Sequence, residues 1–217
     1  MQFQRAPLHM YGLRNQTVTD FGYDNTNTVN YSFNSLGYRG TEFVDKNPII
    51  LLGGSITFGI GLDKENTFGG IVEQRLNVPV YNFAWGCYGH TNHEQLTLLE
   101  NILDNITPLC VIWQINNLNR KRVDEKNCSF NNDTEFVIDA YNDFYKKSDN
   151  LLKTIPHILL HWDEEDYGFD FSHCLIYNKY NVDSTSIPKT FGIRTNQLIA
   201  EKILAGISQL KIELKQK

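Results

Sequence analysis

The sequence lacks a long block of lysines and arginines: its 20 basic residues are spread among 25 acidic ones, and the formal net charge is -5. A phosphate backbone would find no positive stripe to follow, so nucleic acid is excluded as a ligand class. Long hydrophobic runs are missing too. No stretch approaches a membrane span, and MQFQRAPLHMYGLRNQ has no apolar core of signal-peptide length, so the expectation is a cytoplasmic chain with no membrane span. Cysteine is scarce, and Cys87, Cys110, Cys128 and Cys174 form no CxxC pair. With Cys110 inside the apolar run LCVIWQI, free thiols fit better than a disulfide frame or a zinc site. Neither the lysine of GxxxxGK[ST] nor the GxGxxG spacing occurs, which argues against a phosphate loop. No cofactor and no metal are expected.

What is present suits one core. A chain of 217 residues with 41% hydrophobic and 12% aromatic content is long enough for one sizeable domain and short for two. The expectation is a single domain over 1–217, with 1–46 as a leader packed on it. PIILL, ended by Gly53 and Gly54, is a short continuous apolar run of the kind that forms a strand buried on both faces. Phe68, Ile71, Val72 and Leu76 recur at helical spacing between Thr67 and Leu76. VPVYNF reads as a second strand. Thr91 and Glu94 form a capping box before Leu96, Leu99, Leu103 and Ile106, a helical stripe.

LCVIWQI is the third strand. A polar, asparagine-rich segment over about 116–133 then leads to a helix with Val137, Ala140, Tyr141 and Phe144 on one face. HILLHW is a fourth strand and HCLIYN, at 173–178, a candidate fifth. A closing helix from about Thr195 carries Ile199, Ile203, Ile207, Leu210 and Leu214. Strands alternating with helices predict an α/β fold, a three-layer sandwich around a parallel sheet of about five strands. In such sheets the ligand crevice lies beyond the carboxyl ends of the strands, where Ser55, the loop after Phe83 and the loop after Ile115 fall.

Ser55 is therefore either a nucleophile at a strand end or an ordinary turn serine. The stretch around it, IILLGGSITFG, looks like the first block of the SGNH (GDSL-type) hydrolases, and NSLGYRG upstream resembles the leader of bacterial and phage members. VPVYNFAWGCYGHTNHEQL resembles the second block, LCVIWQINNLNR the third, and TFGIRTNQLIAEKI the end of the fifth with its closing helix. The resemblance implies a flavodoxin-like fold and hydrolysis of esters, such as acetyl groups on sugars or acyl lipids. It makes Ser55 the nucleophile, although Gly54 stands where the family usually has aspartate.

The implied oxyanion hole is the Ser55 N–H, an N–H of the second-block loop and an asparagine amide. The glycine register of that loop falls on Cys87, flanked by Gly86 and Gly89, and a backbone donor can come from any residue type. The strict GxND register falls on Asn116, Asn117, Leu118 and Asn119, and a shift of one residue brings Asn117 to the amide position. The family's DxxH pair would fall on Ile187 and Thr190. Asp170 and His173 in DFSH carry the DxxH spacing instead, with Asp183 as a possible remnant acid. His90 and His93 in HTNH are alternatives, as a displaced base or as metal ligands, though two histidines alone make a weak metal signal. His157 and His161 flank a strand, where local packing or bonding accounts for them. Tyrosines of the leader could stack on a sugar or simply cover a sheet edge. The expected partner is a small-molecule or carbohydrate ester; the competing expectation is a module that kept the fold and lost the base.

Overall fold

The computed structural model describes residues 13–21, 28–44, 47–85, 91–117, 119–123, 128–131, 133–161, 174–176 and 192–210. Five strands form one parallel sheet: β3 (Ile49–Leu52), β4 (Val80–Asn82), β5 (Cys110–Gln114), β8 (His157–His161) and β9 (Cys174–Ile176). Their order across the sheet is β4-β3-β5-β8-β9. The chain thus builds outward from β3 in one direction, returns, and continues in the other, which makes the gap between β3 and β5 the topological switch point.

Side chains alternate across a strand, so each apolar run feeds two cores. Ile50, Leu52, Val111, Trp113 and Leu159 face helices α3 (Asn92–Leu103) and α4 (Thr134–Leu152), meeting Leu96, Leu99, Val137 and Phe144. Ile49, Leu51, Cys110, Ile112 and Leu160 face α2 (Phe68–Leu76) and α5 (Ile193–Gln209), meeting Phe68, Val72, Ile199 and Ile203. The continuous hydrophobicity of IILL follows from this, since both faces are covered. The result is the expected three-layer sandwich.

The predicted capping box is present, and a second helix is capped as well. The Thr67 hydroxyl accepts from the Gly70 N–H at 3.0 Å, and Thr91 with Glu94 forms the full capping box. Asn196 joins the two helices of one face: its Oδ1 accepts from the Phe68 N–H at 2.9 Å, at the start of α2. The closing helix begins at Ile193, two residues before the predicted start, and Leu210 is 44% exposed, so the buried stripe stops at Ile207.

Two antiparallel pairs were not expected from the sequence. The leader forms β1 (Thr17–Phe21) paired with β2 (Thr28–Ser32), and the asparagine-rich segment forms β6 (Arg120–Arg122) paired with β7 (Cys128–Phe130). β2 was hidden by its polar residues, because a strand with one face in solvent carries only every second apolar residue, whereas β6 carries no apolar residue and Phe130 of β7 is itself exposed. In β2 only Val29 and Tyr31 are buried, and they join Phe33 and Tyr38 in the same core as Trp113.

Candidate active site

Ser55 opens a one-turn helix, α1 (Ser55–Phe58), directly beyond β3. Gly53 makes the turn possible. Its φ of +154° is hostile to other residues, and a Cβ there would lie 2.8 Å from both Cβ and Oε1 of Gln114 and would strike the Thr57 hydroxyl. Ser55 is half-buried, and among the described residues no group hydrogen-bonds its hydroxyl. As the first helical residue it has no intrahelical acceptor for its N–H.

The turn is held from two neighbouring strands by side-chain amides. From the end of β5, Gln114 Oε1 accepts from the Gly54 N–H at 2.8 Å and from the Thr57 hydroxyl at 3.0 Å. From the end of β4, Asn82 Nδ2 donates to the Thr57 carbonyl at 2.9 Å while its Oδ1 accepts from the Ala84 N–H. The Trp85 N–H donates to the Gly53 carbonyl at 3.2 Å. A one-turn helix cannot hold itself, so its geometry is imposed by these contacts.

The amide network continues into the crevice floor. Gln114 Nε2 donates to Asn116 Oδ1 at 3.3 Å, and Asn116 exchanges two bonds with Asn92 on α3, its N–H to Asn92 Oδ1 and its carbonyl to Asn92 Nδ2. Beside it the Trp113 indole donates to Gln95 Oε1. Gln114, Asn116, Asn92 and Gln95 are all buried. The amide joined to the Ser55 turn is thus that of Asn116. Asn117 is half-buried next to it, and its carbonyl accepts from the Arg120 N–H at 3.1 Å.

Gln114, Asn82 and Asn92 were not singled out from the sequence, and Asn116 entered only at the glycine position of the GxND register. The available signal was positional: each is an amide residue at or near a strand end, or in the first turn of a helix, on the Ser55 edge.

Of the other predicted site residues, Gly86, Cys87, Gly89, His90, Asp170, His173, Asp183, Ile187 and Thr190 lie outside the described residues. His93 is on the exposed side of α3, its Nδ1 3.5 Å from Asp143 on α4. His157 starts β8 at the far edge of the sheet, where its Nδ1 is 2.8 Å from the Ile155 carbonyl. His161 ends β8 at the Ser55 edge and is buried. Strand β9 pairs Cys174 with Leu159 and Ile176 with His161, so its Ile176 end is the one at the Ser55 edge. No cluster of three metal-ligating side chains occurs among the described residues, and no helix there is long and apolar enough to cross a membrane.

No family model and no curated protein matches the sequence. Solved structures do match. TesA superimposes with a TM-score of 0.51 at 13% identity, over 75% of this chain and 99% of its own. A protein assigned to the G-D-S-L family from Desulfitobacterium hafniense DCB-2 gives 0.49 at 15% identity, over 74% and 99%. The esterase EstA from Pseudoalteromonas sp. gives 0.49 at 15%, over 76% and 98%. The likeness to TesA and the strand order establish the fold: it is that of the SGNH hydrolases.

Proposed function

On this SGNH hydrolase fold, we propose a serine ester hydrolase in which Ser55 is the nucleophile. The observation that carries the reading is the built turn at the switch point. A glycine forced into positive φ and two amide clamps are more than a turn serine needs. In the reaction Ser55 Oγ attacks the acyl carbon and loses its proton to a histidine, the alcohol leaves with that proton, and water then releases the acid. The oxyanion is held by the Ser55 N–H, N–H groups of the loop bearing Gly86, Cys87 and Gly89, and an asparagine amide, Asn116 or Asn117. The acyl group is acetyl or another short chain, carried by a small-molecule alcohol or a carbohydrate.

The base is sought among His173 with Asp170, His90, His93 and His161. Spacing favours His173. Thr190, standing where the family carries histidine, supports the second reading: a carbohydrate-binding or assembly module that lacks a base.

Intact-mass measurement of fluorophosphonate labelling decides between them. The expected result is one adduct on the wild-type chain, none on Ser55→Ala, and a rate at least about 100-fold lower when the base is replaced. A folded wild-type chain that takes no adduct, under conditions that label a known serine esterase, sinks the hydrolase.

A further inference from the structure

We infer that Arg39 is a positioning residue for Ser55: its guanidinium fastens residues 58–62, the loop that follows the Ser55 helix, and so fixes the nucleophile's backbone from behind. The inference rests on Ser55 being the nucleophile.

Arg39 is 4% exposed. Its Nη1 donates to the carbonyls of Phe58 and Gly59, each at 2.7 Å, and its Nη2 to that of Leu62 at 2.5 Å. The last carbonyls of a helix have no intrahelical donors, and α1 is so short that its C-terminal end lies three residues from Ser55. A planar fork of N–H groups can serve three such oxygens at once; an ammonium cannot match that geometry. The guanidinium also lies over the Tyr31 ring at 4.6 Å and near the Phe58 ring at 5.3 Å, contacts that hold it in register.

Other contacts converge on the same loop. The Tyr31 hydroxyl accepts from the Gly61 N–H at 2.6 Å, and Asp63 Oδ1 accepts from the Asn30 N–H at 3.3 Å. The NSLGYRG segment is shaped to present the arginine. Asn34 Oδ1 accepts from the N–H groups of Leu36 and Tyr38, and Gly37 and Gly40 turn at φ +83° and +119°.

Among the described residues this buried charge hydrogen-bonds only to carbonyls, which is costly even with Asp63 and Glu65 acting on it, and an uncharged amide would serve a plain cross-link. What the fork provides is simultaneous control of Phe58, Gly59 and Leu62. The Ser55 carbonyl accepts from the N–H groups of Gly59 and Ile60, at 3.0 and 3.2 Å, so the loop's position is passed directly to the serine. Burial lowers the guanidinium to about 10, which leaves it protonated at neutral pH.

The test compares the wild-type chain with Arg39→Lys and Arg39→Met, each first shown to be folded by circular dichroism. Two quantities are read: amide exchange of a peptide covering residues 58–62, and the fluorophosphonate labelling rate of Ser55. The expected result for Arg39→Met is at least tenfold faster exchange in that peptide with β3 and β5 unchanged, and at least tenfold slower labelling. Arg39→Lys recovers part of both. Wild-type exchange over 58–62 in a folded variant overturns the inference, as does an exchange increase spread evenly over the chain with labelling unchanged. If Arg39→Met does not fold, Arg39→Lys carries both readouts alone. A wild-type chain that never labels defeats the esterase reading and with it the catalytic half of the inference, while the exchange result still decides whether Arg39 fastens the loop.

Discussion

The two edges of the central sheet are built from different chemistry. At the edge where the strands begin, prolines do the work: Pro48, Pro79 and Pro156 directly precede β3, β4 and β8, and Pro108 lies two residues before β5. Their carbonyls accept main-chain bonds from the neighbouring strand, Pro79 from Ile49, Pro48 from Leu109 and Pro156 from Val111, each at 2.9 Å. Proline suits a first strand position, where its missing N–H is not needed. At the opposite edge β3 runs into Gly53 and Gly54, β4 and β5 end in the amides Asn82 and Gln114, and β8 ends in His161; the amide bonds reach from one strand's side chain to the backbone of the turn beyond another. One edge secures the sheet. The other holds a turn in a conformation that the backbone would not choose, an arrangement typical of functional sites.

The contrast breaks most sharply at Gly53. Gly53→Ala puts a Cβ against Gln114 in a backbone conformation closed to alanine. The expected cost is about 3 kcal/mol in urea unfolding, together with loss of Ser55 labelling in whatever fraction folds. A fully stable Gly53→Ala chain that still labels would remove the argument for a strained turn. Gln114→Ala is expected to cost about 2 kcal/mol, because the Gly54 N–H, the Thr57 hydroxyl and Asn116 Oδ1 lose one partner together. Its labelling rate should fall more than its stability accounts for. Gln114→Glu keeps an acceptor for Gly54 but sets a buried carboxylate against the Asn116 oxygen, so it is expected to destabilise the chain in urea unfolding, more at pH 8 than at pH 5 where the carboxyl can take a proton.

These residues mark the limit of what the sequence made legible. The parallel strands, the capping box and the order of helices follow from local rules, because a buried strand and an amphipathic helix each write their period into consecutive residues. Ser55 was visible through the glycines before it. The clamps on it were not. Gln114 is 60 residues from Gly54 and Arg39 is 19 from Phe58, and although the apolar run around Gln114 marks a strand end, nothing local names the distant backbone that its amide holds. The β1 and β2 strands were hidden for a related reason, since their apolar residues pay off only against the distant core of Trp113.

The edge where strands begin should respond in stability alone. Cys110 starts β5 there, and burial pushes its thiol up to about 12 from an ordinary 9.0. The folded chain therefore keeps a proton that the unfolded chain loses. The resulting stabilisation is complete below pH 9 and declines as pH rises toward 12. Melting temperatures between pH 8.5 and 10.5 should fall less steeply in Cys110→Ala than in the wild-type chain, and an identical slope would show that the thiol is solvated. The labelling rate of Ser55 at neutral pH should be the same in both.

Pro79→Ala gives the smallest effect and the cleanest test of the division. Its carbonyl still accepts from the Ile49 N–H, so no native bond is lost, and the substitution acts by giving the unfolded chain more freedom. The expected loss is about 0.5–1 kcal/mol in urea unfolding. Strand β4 also carries Asn82, three residues on, whose amide holds the Thr57 carbonyl. If the two edges are separable, Ser55 in Pro79→Ala labels at the wild-type rate despite the lower stability. A labelling rate that falls with the proline would mean that the start of β4 sets the position of Asn82, and that the support of the Ser55 turn extends the full length of the strand.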